Sequence, residues 1–376
     1  MATSKSKPKA AAKKGLNAPK AKASASSKSA APKSAPKANV GFDFIGVFPM
    51  KKDGDKKNDL KKQPTGPVFP QGDYILSSRF NPLSLVLVKE FETTYLGRHT
   101  QDSIKIIHSN VVKDAVPPPA TTARPNTYTK ELDDALLSGE IDIAIHNMKD
   151  IPLELPPGLV LAASLRREDP RDALVTRSTI GAIQELGRGA RVGTSSRRRI
   201  MQIKAVRSDL QIIAVSGDVQ SRLEQLDRLE LDAVLVPWAS LRRLSISPRY
   251  YVSLQPDQMT PAASQGTIGV ICRADSTDLI AKLRYIEDSE ASWSARCERA
   301  FMAKMGATRD SPVGVYAHRK GTQDPWILDA VIGDSVKGEL LRHREIGTSR
   351  CKPESLADKA FVGIISKGAR KFLPFS

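Results

Sequence analysis

The sequence has 376 residues and a formal net charge of +17, from 58 Lys and Arg against 41 Asp and Glu, and is long enough for two or three domains. The excess sits at one end: residues 1–40 hold ten Lys, no Arg and no acid, residues 41–72 contribute +2, and 73–376 carry the remaining +5. Three Cys without CxxC spacing argue against a disulfide scaffold or a Cys-based zinc site, five His show no metal-ligand spacing, and no apolar run is long enough to cross a membrane.

Residues 1–72 therefore read as a disordered Lys-rich tail and linker, with too little apolar surface to offset the entropy of ordering. Three roles stay open for it: a solubilising extension, a plastid or mitochondrial targeting segment, or loose contact with polyanions. No aromatic residue is interleaved in 1–40 for base stacking, so nucleic-acid recognition is not expected beyond weak contact by the tail. Without an apolar signal core, the expected compartment is the cytoplasm.

From Asp73 onward short apolar strands alternate with amphipathic helices, the pattern of βα units around a mostly parallel sheet. The pattern predicts a strand at Tyr74–Ser78, a helix at Pro82–Leu96 with Pro in its first turn, a strand at Ser103–Ile107, a Pro-containing loop over 109–126 and a helix at Tyr128–Leu137. Strands follow at Ile141–Ile145, Leu159–Ala163 and Ala173–Thr176, the last two separated by a crossing point at RREDPRD. A second series runs strand Arg191–Thr194, helix Ser196–Val206, strand Leu210–Val215, helix Ser221–Leu229 and strand Asp232–Val236, then strand Thr267–Cys272 and helix Ser276–Tyr285. The remainder changes character, with a helix at Ala291–Met305, antiparallel-looking strands at Val313–His318, Ile327–Ile332 and Glu339–Glu345, and a helix at Glu354–Phe372. Two α/β domains and a small α+β domain are expected: 73–168 with 264–287, then 169–263, then 288–376.

Four constellations carry chemistry. HNMKDIP (His146–Pro152) follows a strand directly, which puts Asp150 at the mouth of an α/β sheet either as an acid or base or as the cap of the next turn. VGTSSRRRIMQ (Val192–Gln202) places Arg197, Arg198 and Arg199 in the first turn of a helix that Ser195 or Ser196 can cap. Cations oppose the helix dipole there, so the run calls for an anion such as carboxylate or phosphate, the alternative being solvated surface charge. Arg222 lies just inside the next helix and Arg243 follows a buried strand; with Arg79 after the first strand they suggest a cleft lined for a ligand with several carboxylates.

These stretches resemble the porphobilinogen deaminase, or hydroxymethylbilane synthase, family. The matching segments are SSRFNPLSL, KELDDALLSGEIDIAIHNMKDIP, REDPRDAL, VGTSSRRR, GDVQSRL, PAASQGTIGV, ERAF and PVGVYA, in the family's order. The resemblance implies two doubly wound α/β domains of periplasmic-binding-protein type plus a small α+β C-terminal domain. It also implies a monomer that condenses four porphobilinogen molecules into a linear tetrapyrrole with release of ammonia, on a dipyrromethane cofactor held by a Cys thioether. Asp150 then matches the catalytic Asp, Arg79, Arg198, Arg199, Arg222 and Arg243 match the carboxylate-binding arginines, Ser196 matches a cofactor contact, and Tyr128 takes the place of a family Phe.

The departures fall near the cofactor. Arg309 stands at the attachment Cys, and an arginine, protonated at any relevant pH, is no nucleophile, so covalent attachment is not expected. Cys297, twelve residues earlier, reads as an ordinary helix cysteine. Pro125 replaces a family Lys beside Arg124, Ser216 replaces an Arg, and Asn81 replaces a Ser. The sequence thus points to a divergent paralogue that binds porphobilinogen or a linear tetrapyrrole with impaired or absent catalysis. The alternatives are an active hydroxymethylbilane synthase and an inert scaffold for the tail.

Overall fold

The computed structural model describes residues 71–79, 81–107 and 129–373. The tail, the loop over 109–126, Arg124, Pro125 and Tyr128 lie outside the described residues. Three sheets organise the rest. The first has the order β2-β1-β3-β10-β4, formed by β1 (Asp73–Ser78), β2 (Ser103–Ile106), β3 (Ile143–Asn147), β4 (Leu159–Ser164) and β10 (Ile268–Arg273). The second repeats that pattern as β7-β6-β8-β5-β9, from β5 (Asp172–Thr176), β6 (Arg191–Gly193), β7 (Gln211–Ile213), β8 (Ala233–Pro237) and β9 (Tyr251–Leu254). The third is an antiparallel meander of β11 (Val313–His318), β12 (Ile327–Gly333) and β13 (Leu340–Ile346).

Each five-stranded sheet has four strands running one way, as the mostly parallel expectation has it, and one strand opposed to them. β1 pairs in parallel with β2 and β3, but β10 runs antiparallel to β3 and β4. Likewise β6 is parallel to β7 and β8, while β5 is antiparallel to β8 and β9. The opposed strand is in each case the one delivered from the other sheet. Residues 165–171 carry the chain from β4 into β5, and 255–267 return it from β9 into β10. Apolar periodicity reports burial and not strand direction, so it is blind to this reversal.

Both faces of the first sheet are covered. Ile143 and Ile145 enter one core with Leu76, Leu87, Phe91 and Val270, whereas Ala144 between them enters another with Leu132, Leu136 and Ile271. Helix α1 (Pro82–Leu96) supplies Leu87, Val88, Phe91 and Tyr95 at helical spacing, and α2 (Lys130–Ser138) supplies Leu132 and Leu136. Around the second sheet lie α3 (Arg197–Val206), α4 (Val219–Asp227) and α5 (Trp238–Arg243). After β10 come α6 (Thr277–Tyr285), α7 (Ser289–Lys304) and, beyond the third sheet, α8 (Pro353–Ser366). α7 and α8 bury Cys297, Phe301, Leu356, Ala360 and Ile364 against Val313, Val315, Leu328 and Ile332.

This is the expected architecture of two α/β layers and a small α+β unit, with local differences. α5 and β9 carry too few residues to show a period. The last helix stops at Ser366 rather than Phe372 because Gly368 takes the left-handed conformation (φ 89°), and only a 3-10 turn, Ala369–Phe372, follows.

Candidate functional site

β3 ends in a 3-10 turn, Met148–Asp150, closed by Ile151 N donating to Met148 O at 3.1 Å and tied to the start of β10 by Met148 N donating to Thr267 O at 2.9 Å. The turn lifts Asp150 off the sheet edge. Arg309, in the loop between α7 and β11, brings Nε to 2.9 Å from Asp150 Oδ1, an ionic approach without hydrogen-bond alignment. Burial disfavours the charged carboxyl, but Arg309, then Lys149 and Arg79, outweigh it and hold Asp150 below the usual carboxylate range. Burial pulls the Lys149 ammonium down to about 8; Arg309, Arg199 and Arg222 push the same way and Asp150 opposes. Burial also lowers His146 to about 4, with Asp150 opposing and Arg79 assisting, so its ring is neutral at pH 7. One carboxylate thus sits among cations, suited to recognising carboxylates and to stabilising a developing cation at Asp150.

Of the residues expected from sequence, Asp150, Arg79, Arg199, Arg222 and Arg309 share this electrostatic neighbourhood. Arg222 also donates from Nε to Gly217 O at 3.1 Å.

The anion that the arginine run calls for lies inside the protein. Arg198 and Arg199 are buried (each 4 % exposed), and both reach Asp172, itself fully buried, at 2.8 and 2.7 Å. Backbone carbonyls take further donors: Arg198 Nη1 binds Thr260 O at 2.7 Å and Arg199 Nη1 binds Leu235 O at 2.8 Å. The two guanidinium groups hold Asp172 well below the usual carboxylate range against the effect of burial. Helix-dipole reasoning identified the need for an anion but not its source, because Asp172 is 26 positions before Arg198 and adjoins it only through the fold. Gly193 ends β6 just before α3, where a Cβ would stand 2.6 Å from Leu231 Cδ1.

Arg243 is engaged elsewhere. Its Nε and Nη2 donate to Glu90 of α1 at 3.0 and 3.4 Å, and its side chain is 5 % exposed. Ser196 occupies the cap position of α3 but makes no side-chain cap bond. Ser195 does not cap either; its Oγ donates to Val215 O at 2.6 Å and accepts from Val215 N at 3.0 Å, pinning the loop. Asn81 caps α1, its Oδ1 accepting from Ser84 N at 3.0 Å. A recess of about 450 Å³ bordered by Arg284, Arg296 and Arg299 contains none of the expected site residues.

A family model described as porphobilinogen deaminase, dipyromethane cofactor binding domain, matches residues 76–281. A porphobilinogen deaminase from Roseiflexus sp. (strain RS-1) is 34% identical over 301 residues, covering 80% of this chain and 98% of that protein. The chain belongs to the porphobilinogen deaminase family. Further relatives of that name come from Desulforudis audaxviator, 37% identical over 65% of this chain and 78% of the relative, and from Campylobacter concisus, 36% identical over 65% and 79%.

The residues around Asp150 do not fit a thioether-held dipyrromethane. Cys272 and Cys297 are buried in separate apolar cores, and Cys351 is half-buried against the core that holds Cys297. Burial pushes the Cys272 thiol up to about 11 and the Cys297 thiol well above its ordinary value, so neither offers a thiolate. The side chain that meets Asp150 from the loop between α7 and β11 is the Arg309 guanidinium. Sequence reasoning overlooked Lys149, His146 and Asp172, although all lie within the matching segments; a polar residue at the end of an apolar strand was the available signal. No helix among the described residues is long and apolar enough to cross a membrane.

Proposed function

We propose that this porphobilinogen deaminase family member binds the carboxylates of porphobilinogen or a linear tetrapyrrole among Arg79, Lys149, Arg222 and Arg309. On this reading it holds no covalent dipyrromethane and has impaired or absent catalysis. One observation carries the reading: Arg309, which the sequence resemblance sets at the attachment position, places its Nε 2.9 Å from Asp150. The family's nucleophile is thereby exchanged for a cation that neutralises the family's catalytic carboxylate. Arg309 and Asp150 are 37% and 20% exposed, so the pair is worth about 0–1 kcal/mol and a ligand carboxylate can compete for the guanidinium. Intact mass of the purified protein tests the first half; an excess equal to two linked pyrroles would overturn it. Calorimetry with porphobilinogen tests the second, with binding expected to weaken as salt rises.

A second reading, an active hydroxymethylbilane synthase releasing ammonia from porphobilinogen, is favoured by the 34–37% identity to relatives named porphobilinogen deaminase. Ammonia release by the unmodified protein, lost on Asp150→Ala, would select it.

A further inference from the structure

Arg299 lies on α7, ten residues before Arg309, and among the described residues the donor bonds of its side chain go to backbone next to Asp150. Nη1 donates to Ile151 O at 3.1 Å, and Nη2 donates to Pro152 O at 2.6 Å and to Leu153 O at 3.2 Å. Among the described residues no carboxylate stands within ion-pair distance of it, and burial alone lowers its guanidinium to about 10. A half-buried guanidinium without a counter-ion carries a desolvation cost, and among the described residues three consecutive carbonyl dipoles compensate it. An apolar residue would fill the same space without that penalty, so the position is used for gripping this backbone.

The helix that carries Arg299 is itself anchored one residue earlier. The fully buried Glu298 accepts from Arg167 at 2.6 and 3.2 Å, from Ser264 N at 2.5 Å and from Ala317 N at 2.8 Å. Arg167 and Ser264 belong to the two segments that cross between the five-stranded sheets. Those segments touch at Gly266 (φ 92°), where a Cβ would lie 2.3 Å from Glu168 O. α7 is thus fixed to both crossings and, through Arg299, to the turn that bears Asp150.

We propose that Arg299 is a positioning residue for Asp150, clamping residues 151–153 so that the carboxylate stands at a set distance from the loop that carries Arg309. The inference rests on Asp150 being the working carboxylate of the proposed site. The test uses the full chain with Arg299→Leu and Arg299→Lys, read by hydrogen exchange with mass spectrometry and by calorimetry with porphobilinogen. Arg299→Leu should raise exchange in 150–153 by at least tenfold, leave 289–304 and 313–318 unchanged, and weaken porphobilinogen at least fivefold. Arg299→Lys, whose single ammonium cannot span three carbonyls, should fall between; if the Leu variant does not fold, the Lys variant is read by the same criteria. Unchanged exchange at 150–153, or a rise spread evenly over α7 and β11, would overturn the proposal, as would an affinity loss without the local exchange change. Absence of porphobilinogen binding by the unmodified protein would sink the functional reading instead, and exchange would still decide the clamp.

Discussion

Replacing Asp172 by Asn keeps the side chain's shape and removes the one charge that Arg198 and Arg199 share. The carboxylate is fully buried and accepts from Arg199 Nη2 at 2.7 Å and Gln265 Nε2 at 2.9 Å, with Arg198 Nη1 at 2.8 Å. Asn retains one acceptor but turns an NH₂ group toward donors, leaving two buried guanidinium groups without a counter-charge. Removing one partner of a buried ion pair costs about 3–5 kcal/mol. The surviving bonds to Thr260 O and Leu235 O place the expectation near the lower end, about 3 kcal/mol. In urea unfolding this corresponds to a midpoint lower by roughly 1 M with an unchanged slope. The pair Asp172→Asn with Arg198→Met should cost less than the sum of the single changes, since the second removes one stranded cation. A midpoint that moves by less than about 0.3 M, together with collapsed porphobilinogen affinity, would refute the reasoning. It would mean that the arginines depend on an external anion.

Arg309→Ala should change stability by less than about 1 kcal/mol, because its ion pair is partly exposed; a larger loss in thermal unfolding would show that the loop needs the pair. Arg309→Cys, made in cells supplying the cofactor precursor, should gain the mass of a dipyrromethane, and an unchanged mass would place the block elsewhere. His146 is neutral when folded and its pKa is depressed from 6.5 to about 4, so the unfolded chain takes up the proton first as pH falls. His146 should therefore contribute a loss of about 3 kcal/mol between pH 7 and 4; His146→Gln should remove that share and leave those of His99, also lowered by burial, and of carboxylates held low by their partners, such as Asp102, Asp169 and Asp232, and a limb as steep as before would count against a buried neutral ring. Arg243→Ala should leave porphobilinogen affinity within twofold, since the guanidinium is held by Glu90 of α1, and a tenfold loss measured by calorimetry would return Arg243 to the binding cleft.

What was legible in the sequence follows the range of the interactions involved. The helix Pro82–Leu96 was readable to the residue, because a Pro at its first turn and four apolar positions at helical spacing all act locally. The 150 turn was readable because a strand of small and branched apolar residues ends abruptly in His146-Asn147. Strand direction in β5 and β10 was not, since it depends on where the chain comes from. Nor was the fate of the arginines. Arg198 and Arg243 look alike as isolated letters, and only tertiary placement gives one Asp172 and the other Glu90.

The pairing of Asp172 with Leu254 puts both ends of the second sheet's segment side by side, so that this stretch is complete in itself. The first sheet has no such autonomy: β10 lies between β3 and β4, and without it β4 has no neighbour. A chain emerging from the ribosome can therefore close its second sheet once residue 254 has appeared, while the first waits with a vacant central place until residue 273 arrives. On this topology the later half of the α/β region can be closed before the earlier half, and the strand bearing His146 gains its β10 neighbour only after every strand of the second sheet has been made.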